Sequence, residues 1–337
     1  MKRVLFLSVI VLIAFLSQSL VAADKIIKIE TLQVTDIEPF DKAYKGFVAE
    51  LAKNGMVEGK NLKINRRIVD FDVEKGGLWK KVGVLMSIKS HASEIVSAKP
   101  DLVLTIGTPA TKYARDKIVS AGIPLVFTAV AIPKAAGCTS LTDAGKGVTG
   151  ATLWMDMKGA LQIMKLAFPN VKTVGIVHTD DENAVANVED AERVAPSLGM
   201  KFIPKEVGKN DPITPALDEL LGQGAQAYAV PLDTYYGMKD YEPCYKLGDF
   251  SIKHKTPVVS LCLLKVPGAV LYIGADFSVI GSYSGQQAVK ILNEGVAPGS
   301  LPIRRQEDLK ILVDTKRMQA MGIKLPLEIL QIAKSVE

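Results

Sequence analysis

The sequence predicts an α/β protein of two lobes, each built on a doubly wound parallel sheet. Three observations point there. Strand-like and helix-like segments alternate along the 337 residues. The strand-like segments are short, near-continuous apolar runs, as befits strands covered on both faces. After a loop rich in Ala and Gly, near Val148-Thr149-Gly150, the alternation begins again, which implies a second series of βα units.

The segments follow in order. Lys2 and Arg3 precede the apolar run VLFLSVIVLIAFL, and small and polar residues ending in Val21-Ala22-Ala23 come next. This is the pattern of a secretory leader, so residues 1–23 are expected to be removed and the remainder exported as a soluble protein. The run is shorter than the roughly 20 apolar residues that span a bilayer. KIIKIETLQV (25–34) reads as a strand. DKAYKGFVAELAKNG (41–55) reads as an amphipathic helix with Ala43, Phe47, Leu51 and Ala52 on one side and Asn54-Gly55 as its stop. NLKINRRIVDFD (61–72) is the next strand, followed by a helix to about Ser97. DLVLTIG (101–107), a helix from Pro109 and IPLVFTAV (123–130) complete the first series.

In the second series, GVTGATLW (147–154) leads to a helix over about 157–168 and the strand VKTVGIVHTD (171–180). Asn183 can cap a helix that stops at Leu198-Gly199. Next come KFIPKEV, a helix near 213–222, AQAYAVPLD (225–233), a helix near 240–254, TPVVSLC (256–262) and GAVLYIGAD (268–276). A helix from Ser278 to Asn293, the paired stretch LPIRRQEDLKILVD (301–314) and a short helical tail close the chain.

Composition excludes several classes. The formal charge of +5 falls to +3 when Lys2 and Arg3 leave with the leader, and no basic block suits nucleic acid. Cys138, Cys244 and Cys262 have no metal-type spacing. They leave two readings open: a Cys244–Cys262 bridge in an oxidising compartment, or three small buried thiols. Enzyme signatures are missing. GSYSG (281–285) carries Tyr283 where a nucleophile elbow needs Ser. There is no G-x-G-x-x-G, Walker loop or H-E-x-x-H, and His91, His178 and His254 are scattered. No metal site, cofactor or catalytic residue is expected.

In open α/β sheets, ligands bind beyond the carboxyl ends of the strands. The third strand ends in Gly107-Thr108-Pro109-Ala110 and opens a helix at once. Gly permits the turn, Pro suits the first helical turn, and the free amides near Ala110 and Thr111 can hold an anionic group. From these residues alone, a plain helix cap covered by water explains the turn equally well. Other strand ends offer Thr128 and Ala129; His178, Thr179, Asp180 and Asn183; Asp233, Tyr235 and Tyr236; and Asp276 and Phe277. Tyr113, Trp154, Tyr235, Tyr236 and Phe277 lie where an aromatic wall for a planar ligand could stand.

The combination resembles the ABC-transporter substrate-binding family that includes tryptophan and tyrosine uptake proteins, which are class I periplasmic binding proteins. It rests on Gly46-Phe47, Leu51, Gly55, Gly59 and Asn61; KPDLVLTIGTPAT (99–111); IPLVFTAV; Ala136-Gly137; and Val148-Thr149-Gly150. It continues through PNVKTVGIV, VPLD, GAD, AVKILNEGVAPGSLPI and the tail with Ala320, Met321-Gly322-Ile323, Pro326, Leu330 and Ala333.

The resemblance implies a two-lobed clamp with three hinge crossings. One lobe would hold residues 24–148 plus about 277–304, the other 149–276 plus about 305–337. It implies that Gly107-Thr108-Pro109-Ala110 receives the ligand's anionic end, with Thr108, Ala110, Thr128, Ala129, Asp233 and Asp276 lining the cleft. With the strand-end reading, the candidate ligand-binding set is Thr108, Ala110, Thr111, Thr128, Ala129, Asp180, Asp233, Tyr235 and Asp276. The implied protein is a monomeric periplasmic receptor. It would hold a small carboxylate-bearing ligand, amino-acid-like and open to an aromatic group, and deliver it to an inner-membrane ABC permease. A sensor module for a membrane signalling partner and an α/β hydrolase using a strand-end Asp are the alternatives. The chain departs from the family's pattern in three places. Ile132 stands where Asp usually precedes Pro133, which bears on recognition of an amino group. Asp36-Ile37-Glu38-Pro39 replaces an acidic, His-containing segment, and Asp314 replaces Asn.

Overall fold

The computed structural model describes residues 26–69, 78–263 and 266–336. The expected leader and its cleavage site, and positions 70–72 of the second strand segment, lie outside the described residues. The first series runs β1 (Ile27–Val34), α1 (Glu38–Lys53), β2 (Leu62–Val69), α2 (Leu78–Ala98), β3 (Leu102–Ile106), α3 (Thr108–Ser120), β4 (Leu125–Val130) and β5 (Val148–Thr152). The second runs α4 (Met157–Ala167), β6 (Thr173–His178), α5 (Glu182–Val194), β7 (Lys201–Glu206), α6 (Thr214–Gly222), β8 (Ala227–Val230), α7 (Glu242–His254), β9 (Val258–Ser260) and β10 (Leu271–Gly274). Then follow α8 (Phe277–Glu294), β11 (Arg304–Arg305), β12 (Lys310–Val313), α9 (Thr315–Met321), α10 (Leu327–Ile332) and β13 (Lys334–Ser335).

These strands form two sheets, ordered β11-β5-β4-β3-β1-β2 and β13-β12-β10-β9-β8-β6-β7. All neighbours are parallel except β10 and β12. Helices on both faces explain the apolar strands: every residue of β3, β4, β8 and β10 is buried. In each sheet the winding reverses beside the first strand of its series, between β1 and β3 and between β6 and β8. Helices leave in opposite directions at such a point, so a crevice opens beyond the carboxyl ends of the strands.

The chain passes between the sheets three times, after β5, after β10 and after β11. The division expected at 148/149 falls at the start of β5, which pairs with β4 in the first sheet. The crossing therefore comes after Thr152. At the second crossing, Asp276 caps α8 through the Ser278 amide at 2.9 Å and pairs with Lys310 Nζ at 2.7 Å. Its own amide donates to Gln306 Oε1 at 2.8 Å. Arg305, on the third crossing, lies 5.1 Å from the ring centroid of Trp154, on the first. Asp276 and Trp154 thus tie the crossings together, and neither lines the cleft described below.

Helix α8 follows a strand of the second sheet but packs against α1 of the first. Glycines allow this approach. A Cβ on Gly281 would lie 1.9 Å from the Ala43 carbonyl oxygen, and one on Gly46 would lie 2.2 Å from that of Ser278. Gly285 faces Phe47 O at 2.9 Å in the same sense. GSYSG is a helix-packing surface with glycines one turn apart. The three cysteines are buried free thiols. Among the described residues, no helix is long and apolar enough to cross a membrane.

Candidate ligand-binding cleft

The two switch points face each other across a cleft of about 940 Å³. That volume is ample for a small organic ligand. One wall comes from the ends of β1, β3 and β4 and the first turns of α1 and α3. It presents Ile37, Phe40, Gly107, Thr108 and Ala129. The other comes from the ends of β6, β7 and β8 and presents Asp180 to Asn183, Glu206 to Asp211, and Leu232 to Thr234. Leu153 and Phe277, beside the crossings, complete the lining.

The turn into α3 is built on Gly107, whose φ of 87° belongs to the left-handed region that glycine tolerates. A Cβ there would lie 3.0 Å from Phe40 Cζ, so the glycine also lets that ring lie against the turn. The Gly107 amide donates to Thr128 O at 2.9 Å. No side chain among the described residues caps α3. The Thr111 amide reaches Gly107 O at 3.3 Å, and Pro109 has none to offer. The amides of Thr108 and Ala110 have no partner among the described residues. A helix start in this condition favours an anion through both its N–H groups and its dipole.

Several side chains have other roles than those expected. The Thr108 hydroxyl lines the cleft but is occupied: it accepts from the Ala131 amide at 3.2 Å and donates to Asn183 Oδ1 at 3.0 Å across the cleft. Ala110 is buried outside the lining with its methyl packed in the core, and its main-chain amide is the one group it has to offer. Thr111 turns inward, bonding Thr105 Oγ1 and Gly107 O, both at 2.9 Å. Thr128 is buried outside the lining, its hydroxyl without a partner among the described residues. Its carbonyl supports the turn. Ala129 does line the cleft, at a φ of 54° beside an irregularity in the β4–β5 register. Tyr235 is buried outside the lining, its hydroxyl donating to Asp211 O at 2.9 Å and its ring edge-on to Tyr236. Tyr236 OH donates to Val177 O at 2.9 Å. Both rings are core.

Asp233 lines the cleft while almost wholly buried. Its carboxylate accepts from the Thr179 amide at 2.6 Å, the Thr179 hydroxyl at 3.0 Å and the Tyr235 amide at 2.9 Å. Burial, followed by the nearby charge of Asp181, pushes its pKa up to about 6 despite these donors. Asp181, rather than Asn183, caps α5, accepting from the Asn183 amide at 2.9 Å and from Thr234 Oγ1 at 3.0 Å. Asp180 lies exposed on the same wall. With Glu182, Glu206 and Asp211 this wall is rich in carboxylates, and Lys209 is the cation among its described lining residues. Such a wall attracts a positive group.

The walls also touch directly. Lys112 Nζ meets Glu182 at 2.9 Å, which raises the lysine's pKa, and Tyr241 OH donates to Glu38 Oε2 at 3.1 Å. Ile37, Phe40, Leu85 and Leu232 also line the cleft; none is a polar strand-end residue, although Ile37 and Phe40 follow the end of β1 as the strand-end rule requires. Tyr113 and Phe277 are the members of the expected aromatic wall that reach the lining. Ile132 does not.

Two mainly parallel, doubly wound sheets, three crossings and a cleft at facing switch points define a class I periplasmic-binding-protein fold. Solved structures share it. That of a domain protein from Vibrio cholerae superposes with a TM-score of 0.77 at 25% identity, covering 93% of this chain and 100% of that one. An ABC domain in complex with L-Trp, from Streptococcus pneumonia, gives 0.75 at 22%, covering 92% and 99%. Over residues 28–337 the sequence matches the family described as ABC transporter substrate binding protein, and the chain belongs to that family. It is also 26% identical over 309 residues to a tyrosine-binding protein of Clostridioides difficile, covering 90% of this chain and 84% of that protein.

Proposed function

We propose that this substrate-binding protein receives an amino-acid-like ligand whose carboxylate rests on the amides of Thr108 and Ala110. Its ammonium group faces the carboxylate-rich opposite wall. One observation carries this reading: an uncapped helix start, with the partnerless Thr108 amide on the cleft lining and that of Ala110 beside it, stands across a cleft from that wall. A zwitterion matches both sides at once. The family's usual Asp before Pro133 is replaced by Ile132, and carboxylates of the second wall, Asp233 among them, supply the negative charge instead. Ile37, Phe40 and Leu85 give the ligand's side chain an apolar surface, which suits an aromatic group. The tyrosine-binding relative and the L-Trp complex support that choice.

The leader pattern of residues 1–23 supports export and work in the periplasm. The ligand-loaded monomer delivers its cargo to an inner-membrane ABC permease. By the sheets, one lobe comprises β1 to β5 with α8 and β11, and the other α4 to β10 with β12 to β13.

Titration calorimetry against L-tyrosine, L-tryptophan and their carboxamides tests the ligand class. A charge-assisted hydrogen bond is worth about 1.5–3 kcal/mol, so the acids should bind roughly ten- to a hundredfold tighter than the amides. Equal binding of acid and amide would overturn the assignment of the α3 turn.

A further inference from the structure

The geometry points to Asn183 as a ligand-contacting residue that completes the carboxylate site from the second wall and sets its preference for an acid over an amide. This rests on the carboxylate reading above. Thr108 is 1% exposed, so its hydroxyl hydrogen needs a protein acceptor. The Ala131 amide can only donate to Thr108 Oγ1. Asn183 Oδ1, at 3.0 Å, is the acceptor. This fixes the orientation of the Asn183 amide group: oxygen toward Thr108, nitrogen away from it.

The Asn183 nitrogen therefore carries two N–H groups that have no partner among the described residues, on a side chain that lines the cleft. Its position is held from two directions. Its main-chain amide is bound by Asp181 at 2.9 Å, and the adjacent Glu182 is paired with Lys112 of α3 at 2.9 Å. The starts of α3 and α5 are thereby pinned together, with Asn183 at their junction.

Asp181 and Glu182 flank it on this wall, and both would repel a carboxylate seated on the α3 amides. Asn183 offers neutral donors on the same stretch of wall as those charges. A ligand carboxylate can accept from the first wall's amides and from Asn183 at once. A carboxamide must turn its NH₂ toward donors on one side, and the unmatched polar contact is penalised.

The test uses the full mature chain, wild type, N183A and N183D, with L-tyrosine, L-tryptophan and their carboxamides as calorimetric probes. Loss of the donors in N183A should weaken the acids about tenfold and the amides little. N183D replaces the donors by a charge. It should weaken the acids about a hundredfold or more and bind the amides better than wild type does. An unchanged acid-to-amide ratio in both variants would overturn the inference, even if affinity fell, because losing only the support to Thr108 lowers both ligands alike. N183L, which has no donor, carries the same ratio test if N183D does not fold. If the wild type binds no acid, or binds acid and amide equally, the carboxylate reading itself fails and takes this inference with it. A wild-type preference that survives both variants leaves that reading standing and refutes only the role of Asn183.

Discussion

Asp233 is a carboxylate almost removed from water, with its folded pKa raised from 3.8 to about 6. A raised carboxylate pKa means that the native state takes up a proton before the unfolded chain does. The group's stabilising contribution is complete below 3.8 and is lost as pH rises through about 6. Ligand binding should run the other way, because an ammonium group favours the ionised carboxylate. L-tyrosine should bind about tenfold more weakly one pH unit below that value, whereas a deaminated analogue such as 3-(4-hydroxyphenyl)propionate should not. Asp233→Asn should flatten the profile for L-tyrosine. Calorimetry from pH 5 to 8 reads all three, and parallel profiles for the two ligands would remove Asp233 from the ammonium site. Thr108 is a different case. Its hydroxyl joins Ala131 to Asn183, so Thr108→Val strands a donor and an acceptor. It should lower stability by about 1–3 kcal/mol in urea denaturation as well as weakening ligand. Undiminished stability would show that this bridge is dispensable.

At the scale of elements, the joint between α1 and α8 is the most demanding contact. A methyl on Gly281 would sit 1.9 Å from the Ala43 oxygen. Gly281→Ala should cost about 3 kcal/mol or more, since neither backbone can yield without moving a whole helix. Gly222, at the end of α6, has nothing within 4 Å of such a methyl. Gly222→Ala should be neutral or stabilising by up to about 1 kcal/mol. Paired denaturation curves check both, and equal effects would mean that helix propensity, not contact, governs Gly281.

The same elements show what a linear reading can see. The strands were legible because covering both faces makes them continuously apolar. The cleft was legible because strand ends in such sheets carry turns and polar residues. GSYSG was not legible as a packing surface, since a helical glycine acquires that meaning only from the helix opposite. Nor could Thr111 and Tyr235 be told from Thr108 and Asp233. One rotation along a helix start, or two residues beyond a strand, decides whether a side chain meets ligand or core. Asp276 sits at a strand end like the others, but its sheet position puts it on a crossing, beside Lys310.

Across the whole molecule, two sheets joined by three crossings can hold a ligand only if both walls contribute. Lys112–Glu182 and Tyr241–Glu38 bridge the walls, and the second does so through residues outside the cleft lining. Removing that second bridge, by Tyr241→Phe, should favour the open arrangement. It should weaken L-tyrosine and its carboxamide by a similar factor of about five, and enlarge the radius of gyration in small-angle scattering. A selective loss of one ligand would place Tyr241 in the binding site instead. In the proposed complex the α3 turn receives the ligand's carboxylate while the opposite wall closes on it. The most direct measurement is amide NMR of ¹⁵N-labelled protein titrated with L-tyrosine and, separately, with its carboxamide. The Thr108 and Ala110 amide protons should move strongly downfield with the acid and much less with the amide, alongside shifts in residues 180–183. Saturation with L-tyrosine that leaves the Thr108 and Ala110 signals in place would contradict the claim.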